Sequence, residues 1–168
     1  MNITHLLSSI LCFLVVAYAA TPSVILPANG TSINPGQTFD FQYQSIADNG
    51  VSSYNYTVWL FTSPPTTAFA TLENFASGYY FGRFAEPNFP GNPSPPNLPP
   101  AKLTMPNFAT LEKGFGVGAT GHNVTCYVTV LEEYATGTGT LGYRMSLSSN
   151  YIFYNNTGKA LKFEVPFS

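Results

Sequence analysis

Asn123-Val124-Thr125-Cys126-Tyr127-Val128-Thr129-Val130-Leu131-Glu132 alternates with period two. Val124, Cys126, Val128 and Val130 fall on one side, with Thr125, Tyr127 and Thr129 on the other. Successive side chains of an extended chain point to opposite faces, and β-branched and aromatic residues fit a pleated surface, so this stretch reads as a half-buried strand. Upstream, the segment from Ser53 to Thr62 sets Tyr54, Tyr56, Val58 and Leu60 against Asn55, Thr57, Trp59 and Phe61. Its second half is apolar on both sides, which is expected of a central strand.

The same period recurs elsewhere. Thr38 to Tyr43 places Phe39, Phe41 and Tyr43 opposite Asp40 and Gln42. Val24 to Leu26, Gly78 to Phe84, Phe115 to Ala119, Tyr143 to Tyr151 and Ala160 to Val165 read as further strands. Asn29-Gly30 and Asn34-Pro35-Gly36 mark turns, and Gly137-Thr138-Gly139-Thr140 a hairpin tip. Ala68 to Phe75 is the one stretch that suits a helical turn. The expected fold is all-β, an immunoglobulin-like β-sandwich of about seven to nine short strands. Between Glu86 and Pro100 the prolines Pro87, Pro90, Pro93, Pro95, Pro96, Pro99 and Pro100 remove ladder donors and favour extended conformations. That segment is expected to be a Pro-rich surface loop.

Residues 1–20 read as a signal peptide. Leu6 to Val16 is nearly continuous apolar chain, followed by Ala17, Ala19 and Ala20 in an Ala-x-Ala arrangement. The run is shorter than the ~20 apolar residues of a membrane span, and cleavage is expected close to Ala20 or Thr21. Residues 21–168 then form a single domain, long enough to bury a core without metal or disulfide. The C-terminal residues lack the hydrophobic tail of a glycolipid-anchor signal. The expected localisation is extracellular, with no membrane insertion.

Six Lys and Arg against eight Asp and Glu, 8% of the chain in all, provide no basic stripe, which excludes nucleic acid and anionic membrane surfaces as partners. Solubility falls to Ser, Thr, Asn and attached sugars. Asn29-Gly30-Thr31, Asn55-Tyr56-Thr57, Asn123-Val124-Thr125 and Asn155-Asn156-Thr157 are acceptor patterns for N-glycosylation. Beyond the leader Cys126 stands alone, on the apolar side of its strand. It reads as a small buried hydrophobe, with pairing between chains as the alternative.

Several of these segments together resemble a known family. Val24-Ile25-Leu26-Pro27-Ala28-Asn29-Gly30-Thr31 and Pro35-Gly36 precede Ser53-Tyr54-Asn55-Tyr56-Thr57-Val58-Trp59-Leu60 and Gly78-Tyr79-Tyr80-Phe81-Gly82-Arg83-Phe84. In this order they resemble the necrosis-inducing secreted protein family of small fungal effectors, over roughly Val24 to Val165. The resemblance implies a non-enzymatic secreted fungal effector that binds a plant host protein, among them immune-receptor-associated kinases, and modulates immunity or cell death. The family pattern includes paired cysteines, from which this chain departs, so the resemblance carries over no disulfide.

Catalytic chemistry finds little material. Beyond the leader the only histidine is His122, in a turn before the best strand, where it is expected to be solvated. One His and one Cys do not make a zinc site, and no cofactor is expected. Glu132 and Glu133 are adjacent at a strand end, so they point to opposite faces and are expected to meet water. A pair of distant carboxylates remains an open alternative for glycoside hydrolysis. Gly114-Phe115-Gly116-Val117-Gly118 lacks the Lys-Ser/Thr of a phosphate loop. Aromatic residues, 15% of the chain, are the binding candidates. Tyr79, Tyr80, Phe84 and Phe89 flank the proline loop with Arg83, and these are the residue types that interface hot spots favour. The expectation is therefore a binder of a host protein. A cell-wall or carbohydrate-binding module is the alternative, and a purely structural wall protein comes third.

Overall fold

The computed structural model describes residues 20–48, 50–65, 78–86, 96–110, 121–136 and 143–155. Residues 1–19 of the expected signal peptide, the helical turn expected at 68–75, residues 87–95 of the expected proline loop with Phe89, the strands expected at 115–119 and 160–165, and the tip expected at 137–140 lie outside the described residues.

Nine strands are present and, among the described residues, no helix. They are β1 (Ser23–Leu26), β2 (Thr31–Ile33), β3 (Thr38–Asp40), β4 (Gln42–Gln44), β5 (Val51–Phe61), β6 (Gly78–Ala85), β7 (Lys102–Thr104), β8 (Val124–Thr136) and β9 (Arg144–Tyr154). Five of them form one sheet in the order β2-β9-β8-β5-β6, and β1-β4 and β3-β7 are separate two-stranded ladders. The alternating stretch read from the sequence becomes β8, the middle strand, antiparallel to both β5 and β9. The molecule is an all-β sandwich whose second layer is divided between the two short ladders.

The core fills the space between the layers. From the large sheet come Tyr56, Val58 and Leu60 of β5, Cys126, Val128 and Val130 of β8, and Ile152 and Tyr154 of β9. Val24, Phe39, Phe41, Leu103, Met105 and Phe108 close it from the other side. Val58, Leu60, Val128, Val130 and Ile152 have no exposed surface, and each contributes about 1.5–3 kcal/mol by leaving water. The Tyr154 hydroxyl satisfies itself inside the core, donating to the Pro106 carbonyl and accepting from the Phe108 amide, both at 3.2 Å.

Three features depart from the alternation. A bulge between Ser53 and Asn55 in the β5–β8 pairing reverses which parity faces inward. Ser53 is buried and Tyr54, expected beside Tyr56, is instead exposed and edge-on to Tyr143. The stretch read as one strand over Thr38 to Tyr43 is two, β3 pairing with β7 and β4 with β1, with buried Phe41 between them. β2 joins the large sheet by parallel pairing with β9, at the opposite edge from β6.

Candidate functional site

The sheet face turned away from the core carries most of the remaining aromatic surface. Strand alternation fixes this: with Val58, Leu60, Val128 and Val130 inward, their neighbours must point outward. Cross-strand register then assembles rows. Phe61 lies opposite Tyr127 and Tyr127 opposite Tyr151; Trp59 lies opposite Thr129 and Thr129 opposite Ser149; Thr57 lies opposite Leu131 and Leu131 opposite Leu147. On the other flank of β5, Trp59 is paired with Tyr80 of β6.

Trp59 is the centre of this face. Its ring lies 4.5 Å from that of Tyr80 at an interplanar angle of 44°, and 5.9 Å from that of Phe61 at 29°. Its indole N–H donates to Thr57 Oγ1 at 3.1 Å. A second bulge, between Val58 and Trp59 in the β5–β6 pairing, sets Tyr80 beside Trp59. In the same row the hydroxyl of Thr129, which is buried, is hydrogen-bonded to that of Ser149 at 2.9 Å. At the polar margin Arg83 and Glu133 form an ion pair at 2.7 Å. Both side chains are substantially exposed, so the pair positions charge and adds little stability. Tyr80 is 45% exposed and Tyr151 42%, whereas Trp59 is half-buried beneath its neighbours. The arrangement is a large apolar face with hydroxyls and one charge pair at its margin.

The residues singled out by sequence divide here. Tyr80 and Arg83 lie on this outer face. Tyr79 is opposite Leu60, on the inner side at its margin, edge-on to Phe81 at 5.2 Å. Phe84 is a correction: it is 8% exposed, opposite core residue Tyr56, and contributes to packing instead of an interface. Trp59, Phe61, Tyr127 and Tyr151 had been passed over. The signal for Trp59 and Phe61 was the doubly apolar second half of β5, which reflects an aromatic outer face; Tyr127 and Tyr151 join it through cross-strand register with Phe61.

The acidic residues are also rearranged. Glu132 and Glu133 do point to opposite faces, but Glu132 does not meet water: it has no exposed surface. Its carboxylate accepts hydrogen bonds from the Tyr43 hydroxyl at 2.7 Å, the Ser146 hydroxyl at 3.1 Å and the Ile46 amide at 3.1 Å. Glu86, half-buried, accepts from the Ser45 hydroxyl at 3.0 Å. Burial pushes the Glu86 carboxyl above its usual range, and the nearby Glu132 charge adds to the shift. Burial likewise raises the phenols of Tyr43 and Tyr56 well above the ordinary tyrosine value, reinforced by these carboxylates. Glu132 ties β4 and the chain after it to β8 and β9, while Glu86 holds Ser45 in that same segment. Glu132 offers no surface for a substrate to reach.

Cys126 has no exposed surface, and burial lifts its thiol pKa to about 11. His122 is half-buried instead of solvated, its Nδ1 2.9 Å from the Asn155 side-chain amide. Among the described residues, no three His, Cys, Asp or Glu side chains are grouped to hold a metal ion. Of the sequon asparagines, Asn29 and Asn123 are exposed, Asn55 is half-buried on the outer face, and Asn155 is buried. No protein-family model matches the chain, and a search of curated proteins returns no relative.

Proposed function

We propose that the protein is a secreted, non-enzymatic binding module of the fungal-effector type, and that it engages a plant host protein through the outer face centred on Trp59 and Tyr80. The observation that supports this reading is the Trp59–Tyr80 contact at 4.5 Å with Phe61, Tyr127 and Tyr151 in adjoining rows. Trp, Tyr and Arg are the residue types on which protein interfaces concentrate their binding energy, and a rim charge pair serves orientation more than affinity. The rings of Trp59 and Tyr80 are tilted by 44°, which suits interlocking with side chains better than stacking on a flat sugar.

A carbohydrate-binding module is the second reading. It is favoured by the near-parallel Trp59 and Phe61 rings, at 29°, and by the half-buried Thr57 and Ser149 hydroxyl positions on the same face. The two readings part in one experiment. Immobilised protein and its W59A/Y80A variant are exposed to plant-tissue extract and, separately, to chitin, β-glucan and cellulose, with matched circular dichroism confirming the fold. Retention of a defined plant protein by the parent and not by the variant supports the host-protein reading. Equal retention by both removes this face as the interface, and firm retention on a glycan that is lost in the variant selects the module.

A further inference from the structure

The four sequons are not equivalent once folded, and the difference lies in which atom of each side-chain amide the fold already uses. N-glycosylation joins the anomeric carbon of an oligosaccharide to Asn Nδ2. The new C–N bond replaces the anomeric C–O bond to a polyprenyl pyrophosphate carrier, which leaves, and the amide nitrogen gives up one proton. The product keeps its carbonyl oxygen as an acceptor but has a single N–H.

Asn29 meets that requirement. It sits exposed in the turn before β2, where Gly30 adopts a φ of +79°. Its Oδ1 accepts the Tyr151 backbone amide at 2.9 Å. A backbone N–H only donates, so the atom facing it is the oxygen and Nδ2 is directed elsewhere. The Thr31 hydroxyl of the same sequon donates to the Ala28 carbonyl at 2.6 Å and helps close the turn. The fold uses the atom that glycosylation spares.

Asn155 is the reverse. It is 7% exposed, and its Nδ2 donates both to the Gly121 carbonyl and to His122 Nδ1, each at 2.9 Å. A carbonyl only accepts, so the orientation is again unambiguous. Both N–H groups are engaged, and a glycosylated amide retains one. The sugar would also have to occupy packed interior. Asn123 lies next to Asn155, its backbone amide donating to the Asn155 carbonyl at 3.2 Å, yet its own side chain is exposed immediately before β8. Two neighbouring sequons therefore stand in opposite states.

We infer that Asn29 and Asn123 carry N-linked glycans and that Asn155 remains unmodified, its side chain serving as the clamp that joins the end of β9 to the turn before β8. The inference rests on the proposed route of export. The test is a glycan map of the full chain secreted from yeast, made by enzymatic deglycosylation in heavy-oxygen water and peptide mass spectrometry. Labelled aspartate is expected at positions 29 and 123, with unlabelled asparagine at 155. Asn29→Gln and Asn123→Gln should each remove one increment of gel mobility. A glycan on Asn155 of the folded, secreted protein overturns the assignment, as does an unmodified Asn29 or Asn123. The chain is exported both behind its own residues 1–20 and behind a yeast leader. Failure of the first alone refutes the export reading, and the second still provides the map.

Discussion

The Tyr43 hydroxyl donates to Glu132 Oε2 at 2.7 Å across 89 residues of sequence, and Glu132 has no exposed surface. A buried carboxylate is tolerated only where its lone pairs are met by donors. Here the donors come from three places: Tyr43 on β4, Ile46 just after it and Ser146 on β9. The carboxylate therefore fastens the β1-β4 ladder to β8, the middle strand of the large sheet, and to β9.

Tyr43→Phe removes one donor from this cluster and leaves the ring, which packs 5.0 Å from that of Tyr56. A hydrogen bond to a charged group contributes about 1.5–3 kcal/mol, and the expected loss of unfolding free energy lies in that range. Urea denaturation should show a lower midpoint with an unchanged slope. A midpoint equal to the parent's means that water replaces the phenol at no cost.

Glu86 contributes to the response of stability to pH. The folded-state pKa of Glu86 is raised by burial and by Glu132, so between its unfolded and folded values the native state binds more protons than the unfolded chain. The contribution to stability is fully present below the ordinary glutamate value of 4.5 and is lost as pH rises through the folded value. Over that window the Glu86 contribution favours mild acidity. Glu86→Gln retains an oxygen acceptor for Ser45 and removes the titration, so the melting temperature of the parent should rise relative to that of the variant as pH falls through the folded value. A constant difference across that window would exclude coupling between folding and Glu86.

Alternation around Val128 identified β8 and its inner face, because a local pattern is enough to tell which side of a strand is apolar. It had no means of finding Ile46 and Tyr43, two of the three donors to Glu132, which lie 86 and 89 residues away. The same limit applies to the bulge at Ser53–Asn55, a one-residue change of register that leaves composition untouched but turns Tyr54 outward. Strand β7 is only three residues long and is recognisable through its pairing with β3 alone. The outer face was half legible. Trp59 and Phe61 were seen to oppose Val58 and Leu60, yet whether that side met another layer or solvent depends on tertiary packing.

Cys126 provides a third test. With no exposed surface and a thiol pKa of about 11, it carries negligible thiolate at neutral pH, and thiolate is the reactive form. The native protein should consume no aromatic disulfide reagent over minutes and should run as a monomeric band on a non-reducing gel. In denaturant, one thiol equivalent per mature chain should react. Prompt modification of the native protein would show that this part of β8 opens readily.

Phe84 and Tyr80 lie four residues apart on β6 and should behave oppositely on truncation. Phe84 packs against Tyr56 at 6.1 Å between ring centres and is 8% exposed, so Phe84→Ala leaves a cavity in the core. Phe-to-Ala changes of this kind cost about 3–5 kcal/mol. Tyr80, at 45% exposure, rests against Trp59 from the solvent side. Tyr80→Ala should cost about 1 kcal/mol or less, the value of one aromatic pair, while weakening partner binding at least tenfold if the outer face is the interface. Denaturation midpoints and equilibrium binding on the same two variants separate the roles. A Tyr80→Ala protein as destabilised as Phe84→Ala would place Tyr80 among the structural residues, and the binding surface would then have to be sought around Tyr151.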